Sequence, residues 1–593
     1  MSITLQVKLN VIQAIQQLYS TAFNKKELTV NVTKPEFEGD YTLVMFSFIK
    51  QIRRSPDDAG KEIGDLLLKT NPEFFSSYNV IKGFLNLSIT HEYYIKFLKE
   101  NFDNKNFGYK TDTDKKVMVE YSSPNTNKPL HVGHLRNNFL GWSIAEIQKA
   151  SGHDVIKTCI VNDRGIHICK SMVTWQLFAN GATPESTGLK GDHLVGEYYV
   201  RFSSEVKKQA EELKANGLSK EDAEKEAPIM QAARKMLQDW EAGNPDVMAL
   251  WKKMNGWVYD GFDVTYRRIG SDFDKIYYES ETYILGKKFV ETGLKNRVFS
   301  KKEDGSVWID LTPEGLDEKL VLRKDGTSVY ITQDIGLAQQ KYEEYRYEES
   351  IYVIGDEQNY HMKVLKLILQ KLGLPYANGV FHLSYGMVDL PTGRMKSREG
   401  TVVDADDLLN EMVTIAARHT EELGKVKDFS EKELKELYDT LGIGALKFFL
   451  LRVEPKKRMV FNPEESIDFH GFTGPFVQYT HARIKSILRK QSEYLVLSTQ
   501  YSDSLLKLEK DLIISLEQYP AIIEQACDEH NPSVIAIYVF NIAKSFNSFY
   551  TEHSVLNAES PEKKEIRLRL CVLTAHVIHS SLSLLGIKAP ERM

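Results

Sequence analysis

The sequence predicts an α/β protein in three parts: an N-terminal α+β unit, a central doubly wound core with a parallel sheet, and a C-terminal all-α helical bundle. Three patterns carry this expectation. From Lys116 onward, apolar runs suited to buried strands alternate with helically spaced segments, as they do in βαβ units. The first 112 residues mix both periods and end in the alternating run IKGFLNLSI before the charged stretch TDTDKK. From about Ser430 the pattern is almost wholly helical, most clearly over Leu441 to Arg452, Gly471 to Lys490 and Ser533 to Tyr550.

Within the core, Lys116 to Tyr121 reads as a strand, Leu135 to Ala150 as a helix and Asp154 to Val161 as the next strand. This Rossmann-type order breaks after about Ser171 and resumes with FDKIYYES near residue 273. The Lys- and Glu-dense stretch from Glu205 to Gly243 reads as a solvated helical insertion. Val247, Leu250, Trp251, Met254, Trp257, Val258 and Phe262 then fall at helical spacing and are expected to be core. Asp304-Gly305 and Asp325-Gly326 signal hairpins between extended runs. SVYITQD follows, then the strand SIYVIG with Asp356, Glu357 and Gln358 at its end, where doubly wound sheets bind ligands. VFHLSYGMV is a further strand before the loop LPTGRMKSREGTVV. The expected domains are residues 1–112, 113–420 with an insertion at about 175–268, and 421–593.

Composition narrows the class without choosing a function. With 42% hydrophobic and 27% charged residues the chain is an ordinary globular one, and a net charge of −6 neither requires nor excludes nucleic acid. Cys159, Cys169, Cys527 and Cys571 form no CxxC pair, so no zinc site or disulfide framework is indicated and a reducing cytoplasm fits. The first residues lack the basic n-region of a signal peptide. Leu570 to Ile587 carries no Asp, Glu, Lys or Arg, but two histidines and three serines interrupt it, so a buried bundle helix is expected rather than a membrane span.

The most chemically loaded segment is VEYSSPNTNKPLHVGHLRN, Val119 to Asn137. His131 and His134 are three apart on a first helical turn, with Gly133 between them leaving the backbone bare to a flat ring. A helix N-terminus after a buried strand offers unpaired N–H groups to phosphates. Alone, such a turn fits a nucleotidylyltransferase acting on a small molecule equally well, and a lone histidine is more often packed than catalytic.

HVGH resembles the HIGH signature of class I aminoacyl-tRNA synthetases, and RMKSREG resembles their KMSKS signature in the expected place after the last core strand. SSPNTNKPLHVGHLRNN, SVYITQDIG, GPFVQYTHARI and the terminal LGIKAPERM are similar to arginyl-tRNA synthetases, and GDYTLVMF and GFLNLSI extend the resemblance to nearly the whole chain. The resemblance implies an arginine–tRNA ligase. ATP and L-arginine would form arginyl-adenylate, and arginine would pass to the 2′-hydroxyl of the terminal adenosine of tRNA(Arg), with tRNA needed before the first step. It implies ATP with Mg2+ delivered on it, no protein-held metal, no membrane, a cytoplasmic setting, and a monomer.

Residue by residue, the resemblance implies that Lys128, His131, His134 and Lys396 are catalytic. Gly133, Asp356, Gln358, Met395 and Ser397 would join the two histidines and Lys396 around ATP. Lys396, Arg394 and Arg398, together on a glycine-flanked loop, would close over the β- and γ-phosphates and release with pyrophosphate. The second signature lysine is replaced by Ser397, so Lys128 is the expected compensator for phosphate charge. Glu120, Asp334 and Tyr330 would select the guanidinium, which needs carboxylates in a fork, and Ser123, Asn125 and Gln358 would hold the α-amino and carboxylate groups. An N-cap of the helix IGLAQQKYEEY is the structural alternative for Asp334. Tyr479, Arg483 and Met593 would contact tRNA in a DALR-type anticodon domain, although helical spacing makes most aromatics of that region core by default. A catalytically inactive tRNA-binding paralogue remains the alternative from another class.

Overall fold

The computed structural model describes residues 3–593 except 26, 35, 390–402, 423, 425–427 and 492–504. Helix α1 (Ile3–Tyr19) opens an N-terminal unit whose antiparallel strands β1 (Val30–Val32), β2 (Tyr41–Val44), β3 (Phe75–Ile81) and β4 (Phe84–Ile89) lie in the order β1-β2-β4-β3. Helices α2 (Pro56–Thr70) and α3 (His91–Asn101) complete it. Ser55 starts α2 by accepting a hydrogen bond from Asp58 N, and Pro56 occupies the first helical position, where its missing N–H costs nothing. The unit is fastened to the C-terminal helices. The buried Glu517 carboxylate accepts from Ile3 N at 2.9 Å and from Tyr41 Oη at 2.6 Å.

The central sheet is β5 (Lys116–Glu120), β6 (Asp154–Val161), β7 (Lys275–Tyr278), β11 (Glu349–Gly355) and β12 (Val380–Tyr385). Its order is β12-β11-β5-β6-β7 and every pair is parallel. The chain proceeds from β5 outward through β6 and β7, then returns to the other side of β5 for β11 and β12. The reversal leaves a crevice at the carboxyl ends of β5 and β11, the topological switch point. Alternate residues face opposite layers: Val117, Val119, Ile351 and Val353 join the cluster containing α4 (Val132–Ala150), whereas Met118, Ile156 and Tyr352 join the other. Burial on both faces explains why these strands read as apolar runs rather than alternating ones.

Between β6 and β7 run α5 (Ile166–Phe178), α6 (Gly191–Ala215), α7 (Pro228–Glu241) and α8 (Pro245–Ile269). Asn244 caps α8 with its side-chain oxygen, Pro245 follows at N1, and Gly270 ends the helix at φ +72°. The expected solvated insertion is solvated on one side only. Val206, Ala210, Ile229, Ala233, Met236 and Trp240 are buried, because each charged helix still carries one apolar stripe.

The excursion after β7 holds β8 (Ser300–Lys301), β9 (Val307–Ile309) and β10 (Lys319–Leu322) as a three-stranded sheet, with the Asp304-Gly305 turn joining β8 to β9. The second Asp-Gly pair departs from expectation. Only an isolated Leu322–Ser328 bridge follows β10, and the chain enters α9 (Tyr330–Tyr345) at once. Ile331, Ile335 and Ala338, three and four apart, bury one helical stripe and override the extended reading of SVYITQD. Asp334 therefore lies inside α9 and is not its N-cap, which is Val329.

Helix α10 (Asn359–Lys371) leads to β12, and β13 (Val388–Asp389) pairs in parallel with β14 (Met459–Val460). Between these two strands come α11 (Ala405–Glu422) and α12 (Glu431–Leu451). The C-terminal bundle is α13 (Gly474–Arg489), α14 (Lys507–Glu517), α15 (Tyr519–Asp528), α16 (Ser533–Glu552) and α17 (Pro561–Leu584). The uncharged run from Leu570 lies mostly in α17 and is largely buried, as expected of a bundle helix. Among the described residues no helix is long and apolar enough to cross a membrane.

Candidate active site

Strand β5 delivers the chain to the switch point, where Ser122 takes φ +61°, a left-handed conformation that a non-glycine residue holds only when its surroundings fix it. They do so here. Ser122 N donates to Asn137 Oδ1 at 2.6 Å, and its hydroxyl meets Tyr266 Oη at 2.7 Å. Asn137 in turn donates to Val353 O at 2.7 Å, which ties α4 to β11 across the crevice. Ser123 and Asn125 follow on a loop laced to the end of β6: Asn162 Nδ2 donates to Ser123 O at 3.2 Å, and Asn125 bridges Asn162.

His131 caps α4 from an extended conformation, and its backbone N–H donates to His134 Nδ1 at 3.1 Å. That bond fixes the His134 tautomer. With Nδ1 accepting, the neutral ring carries its proton on Nε2 and can donate it. The two rings lie 3.8 Å apart between centroids. Burial lowers the His131 pKa to about 3, with Lys128 adding to the fall and Asp404 opposing it. Burial, His131 and Lys128 together push His134 well below its ordinary value. Both are therefore uncharged donors and acceptors at neutral pH, and His131 Nδ1 is buried with no hydrogen-bond partner among the described residues. At Gly133 a Cβ would stand 3.1 Å from the His131 ring, so the bare backbone also leaves that ring its place. Lys128 is the cation of the turn, its pKa lowered by burial.

Arg136, wholly buried on α4, donates to Gly386 O at 2.6 Å and to Lys457 O at 2.9 Å. Gly386 follows β12, and at the far end Asp404 forms an antiparallel bridge with His131. Met395, Lys396 and Ser397, with Arg394 and Arg398, fall within 390–402 and lie outside the described residues.

Glu120, at the end of β5, is 5% exposed, and the buried Lys341 ammonium of α9 donates to its Oε2. Asp334 is half-exposed and lies 2.6 Å from His361 Nε2 of α10; that hydrogen bond raises the His361 pKa. Tyr330 stands four residues earlier on α9 with 73% of its surface exposed. Asp356 and Gln358 occupy the short turn after β11, at the carboxyl edge beside β5.

In the C-terminal bundle Tyr479, Arg483 and Met593 line one cleft of about 570 Å3 with Phe429, Tyr550 and Arg592. The Arg483 guanidinium lies 4.9 Å from the Tyr479 ring centroid and donates to Asn547 Oδ1 at 2.5 Å. Gln478 and His481, on the same helix, are buried and bond the terminal segment instead, at Lys588 O (2.8 Å) and Pro590 O (2.9 Å).

Residues 98–462 match the family model for tRNA synthetases class I (R), catalytic domain, and residues 477–593 match the DALR anticodon binding domain. The chain belongs to the arginine-type class I tRNA synthetases. A curated arginine–tRNA ligase of Amoebophilus asiaticus is 51% identical over 597 residues and covers 100% of both chains. One from Flavobacterium psychrophilum is 52% identical over 593 residues, with 98% of each chain covered. Among solved structures, Thermus thermophilus arginyl-tRNA synthetase matches 100% of both chains at 25% identity with a TM-score of 0.83. The family read from HVGH, SVYITQDIG and GPFVQYTHARI is thereby borne out.

Within this synthetase core the structure adds three groups that the sequence reading passed over. Lys341 and His361 are the partners of Glu120 and Asp334. Glu279 follows β7 at the same carboxyl edge, and burial raises its pKa to about 7, opposed by Arg164 and assisted by Asp163 and Asp334. FDKIYYES ends in the same pattern that drew attention to Asp356, a buried strand closed by an acid, so Glu279 was within reach of that argument.

Proposed function

We propose that this chain is an arginine–tRNA ligase: it joins ATP and L-arginine into arginyl-adenylate with release of pyrophosphate, then passes arginine to the 2′-hydroxyl of the terminal adenosine of tRNA(Arg). The observation that carries this reading is identity of about half, end to end, with curated arginine–tRNA ligases. The switch-point geometry supports it.

Adenylate formation is an in-line attack of the arginine carboxylate on the α-phosphorus, which asks for alignment and charge rather than a protein nucleophile. The His134 Nε2–H and the unpaired His131 nitrogen can hydrogen-bond phosphate oxygens while Gly133 leaves room for adenine. Since both histidines are neutral, the fixed charge at the turn is that of Lys128, and Lys396 supplies a smaller share from the loop that also carries Met395 and Ser397. Asp356 and Gln358 face the nucleotide from β11. The turn offers ring nitrogens and an ammonium, a poor donor set for a hard cation, so Mg2+ would ride on the ATP phosphates and lend them charge neutralisation. Ser123, Asn125 and Gln358 hold the amino-acid head, while Glu120, Asp334 and Tyr330 take the guanidinium, with lysine rejected because a point charge leaves acceptors unpaired. Tyr479, Arg483 and Met593 read the anticodon loop, and the N-terminal unit touches the outer corner of the tRNA. The reading also takes the chain as a monomer, and four free buried cysteines fit the cytoplasm.

ATP–pyrophosphate exchange with arginine, lysine or no amino acid, each with and without tRNA, tests the whole reading. Exchange with arginine plus tRNA alone is expected. Exchange with lysine would remove the guanidinium pocket, and no exchange under any condition would leave the inactive paralogue.

A further inference from the structure

The helical insertion reaches the ATP turn through the start of α6, by contacts that none of the roles above uses. Asp192, in the first turn of α6, is completely buried. Gly261 of α8 makes room for it, since a Cβ there would stand 2.3 Å from Asp192 Oδ1. Lys190, the residue before α6, pairs with Asp192 at 3.1 Å, donates to Thr265 Oγ1 at 2.6 Å, and donates to Asp406 at the start of α11. His193 Nε2 lies 3.3 Å from a carboxylate oxygen of Asp404 and 3.3 Å from one of Asp406. The Asp404 and Asp406 carboxylates beside its Nε2 raise the His193 pKa to about 10 against the effect of burial, so it is a second cation at neutral pH. Against burial, His193 and Lys190 pull Asp406 well below the usual carboxylate range. Farther along α6, Gly196 lies against the turn itself: a Cβ there would be 2.7 Å from Pro129 Cδ and 3.6 Å from Lys128 Cα.

Asp404 connects this network to the chemistry. Its backbone bridges His131, and the next residue, Ala405, donates its N–H to Leu130 O at 2.9 Å. Its carboxylate is close enough to oppose the fall of the His131 pKa. Left uncancelled, that negative charge would face the triphosphate that the turn is read as binding. Asp192, His193 and Asp406 also bring metal-ligand atoms within 4.8 Å of one another, but the Lys190 ammonium already pairs with both of these carboxylates and serves as their cation.

We propose that His193 and Lys190 are positioning residues for the activation step: His193 holds Asp404 against His131 and cancels its charge, and Lys190 neutralises Asp406 so that His193 is left for Asp404, with the result that the phosphates of ATP meet Lys128 and the two histidines rather than a bare carboxylate. The insertion is then part of the ATP site's support. The proposal rests on reading the HVGH turn as that site.

Five variants test it: His193→Ala, His193→Gln, Lys190→Met, Asp404→Asn and His193→Ala/Asp404→Asn. His131→Ala is the reference, and Lys214→Ala, half-buried in the last turn of α6 where it pairs with Glu211, is the control. Arginine-dependent exchange is measured with tRNA present, separating the KM for ATP from the KM for arginine, with thermal melting alongside. His193→Ala and Lys190→Met are expected to raise the ATP KM at least fivefold and leave the arginine KM within twofold. His193→Gln keeps a side-chain donor without the charge, so its ATP KM should still rise, though less than that of His193→Ala. Asp404→Asn keeps the oxygen that accepts from Asp406 N at 2.8 Å, so it preserves the α11 cap while deleting the charge. Combined with His193→Ala it should restore most of the ATP KM. The proposal is overturned if His193→Ala raises both KM values alike, or if Asp404→Asn deepens the defect. Should His193→Ala fail to fold, Lys190→Met with and without Asp404→Asn gives the same comparison. His131→Ala with normal exchange would sink the ATP-site reading and this proposal together; loss in His131→Ala beside normal kinetics in His193→Ala and Lys190→Met would sink this proposal alone.

Discussion

Lys341→Met strands the Glu120 carboxylate. The acid is 5% exposed, the Lys341 side chain is fully buried, and the two meet across the face of the sheet from β5 to α9. Removing one member of a buried pair costs about 3–5 kcal/mol, because the survivor keeps its desolvation penalty and loses the charge that offset it. Replacing both members by neutral groups of similar volume removes that penalty. Lys341→Met is therefore expected to lower the thermal midpoint of the unit that contains the sheet, and Lys341→Met/Glu120→Gln to recover most of the loss. The folded double variant then isolates the role of Glu120 in substrate binding. If Glu120 receives the guanidinium, the double variant's arginine KM rises by a factor on the order of 10–100, which is the loss of about 1.4–2.8 kcal/mol of a charge-assisted hydrogen bond. Calorimetry and arginine-dependent exchange read the two halves separately. Equal destabilisation of single and double variants would refute the stranded-charge reasoning, and an unchanged arginine KM in the double would assign Glu120 to the fold rather than to the substrate.

Lys128→Ala is expected to lower exchange by a factor on the order of 100 with the arginine KM nearly unchanged, Lys128→Arg to restore part of it, and Lys396→Ala to cost less; near-normal exchange in Lys128→Ala beside loss in Lys396→Ala would reverse that division of charge. His131, with a folded pKa of about 3, takes up no proton near pH 6.5, whereas the unfolded chain does. Stability from this source is present above pH 6.5 and falls as the pH drops toward 3, so acid titration of His131→Asn, followed by melting, should show a shallower loss. A group titrating near pH 6.5 in free-enzyme kinetics that vanished in both His131→Asn and His134→Asn would contradict the neutral turn. In the C-terminal cleft, Tyr479→Ala should weaken tRNA binding by about 1–3 kcal/mol if the ring stacks a base, and Arg483→Ala should reduce its salt dependence. Filter binding over a salt series checks both, and unchanged affinities would return the two residues to the packed bundle.

What was legible in the sequence was local. The HVGH turn could be read because strand, glycine turn and helix start lie within 20 or so residues, and short-range geometry decides which side chains share its face. The carboxyl-edge placement of Asp356 and Gln358 followed from strand patterning in the same way. The N-cap alternative for Asp334 fails because α9 already begins at Tyr330, where the strand-like composition of SVYITQD hides a three-and-four spacing that only burial reveals. The partners were beyond reach for a different reason: Lys341 lies 221 residues from Glu120, and no periodicity reports which distant cation a fold brings to an acid. The cleft behaved similarly. Tyr479, Arg483, Gln478 and His481 share one helix, yet only the terminal segment's path separates the first pair, which line the cleft, from the second, which hold Lys588 and Pro590.

The insertion carried a signal of its own, and it lay in glycine rather than in charge. Glycine inside a helix costs about 0.5–1 kcal/mol relative to alanine, so a helix that keeps several places backbone against something. Gly191, Gly196 and Gly261 each do so: a Cβ would stand 2.0 Å from Trp257 O, 2.7 Å from Pro129 Cδ and 2.3 Å from Asp192 Oδ1, respectively. None of the three has a left-handed φ, so close approach is their only structural reason. The Lys and Glu content behind the solvated reading of Glu205 to Gly243 belongs to the distal part of α6, to the short helix Lys220–Glu226 and to α7, beyond these contacts. At its proximal end α6 trades side chains for proximity to Lys128 and Asp404. Gly196→Ala is accordingly expected to disturb the turn more than Lys214→Ala on the same helix, with the loss appearing in the ATP KM before it appears in the melting temperature.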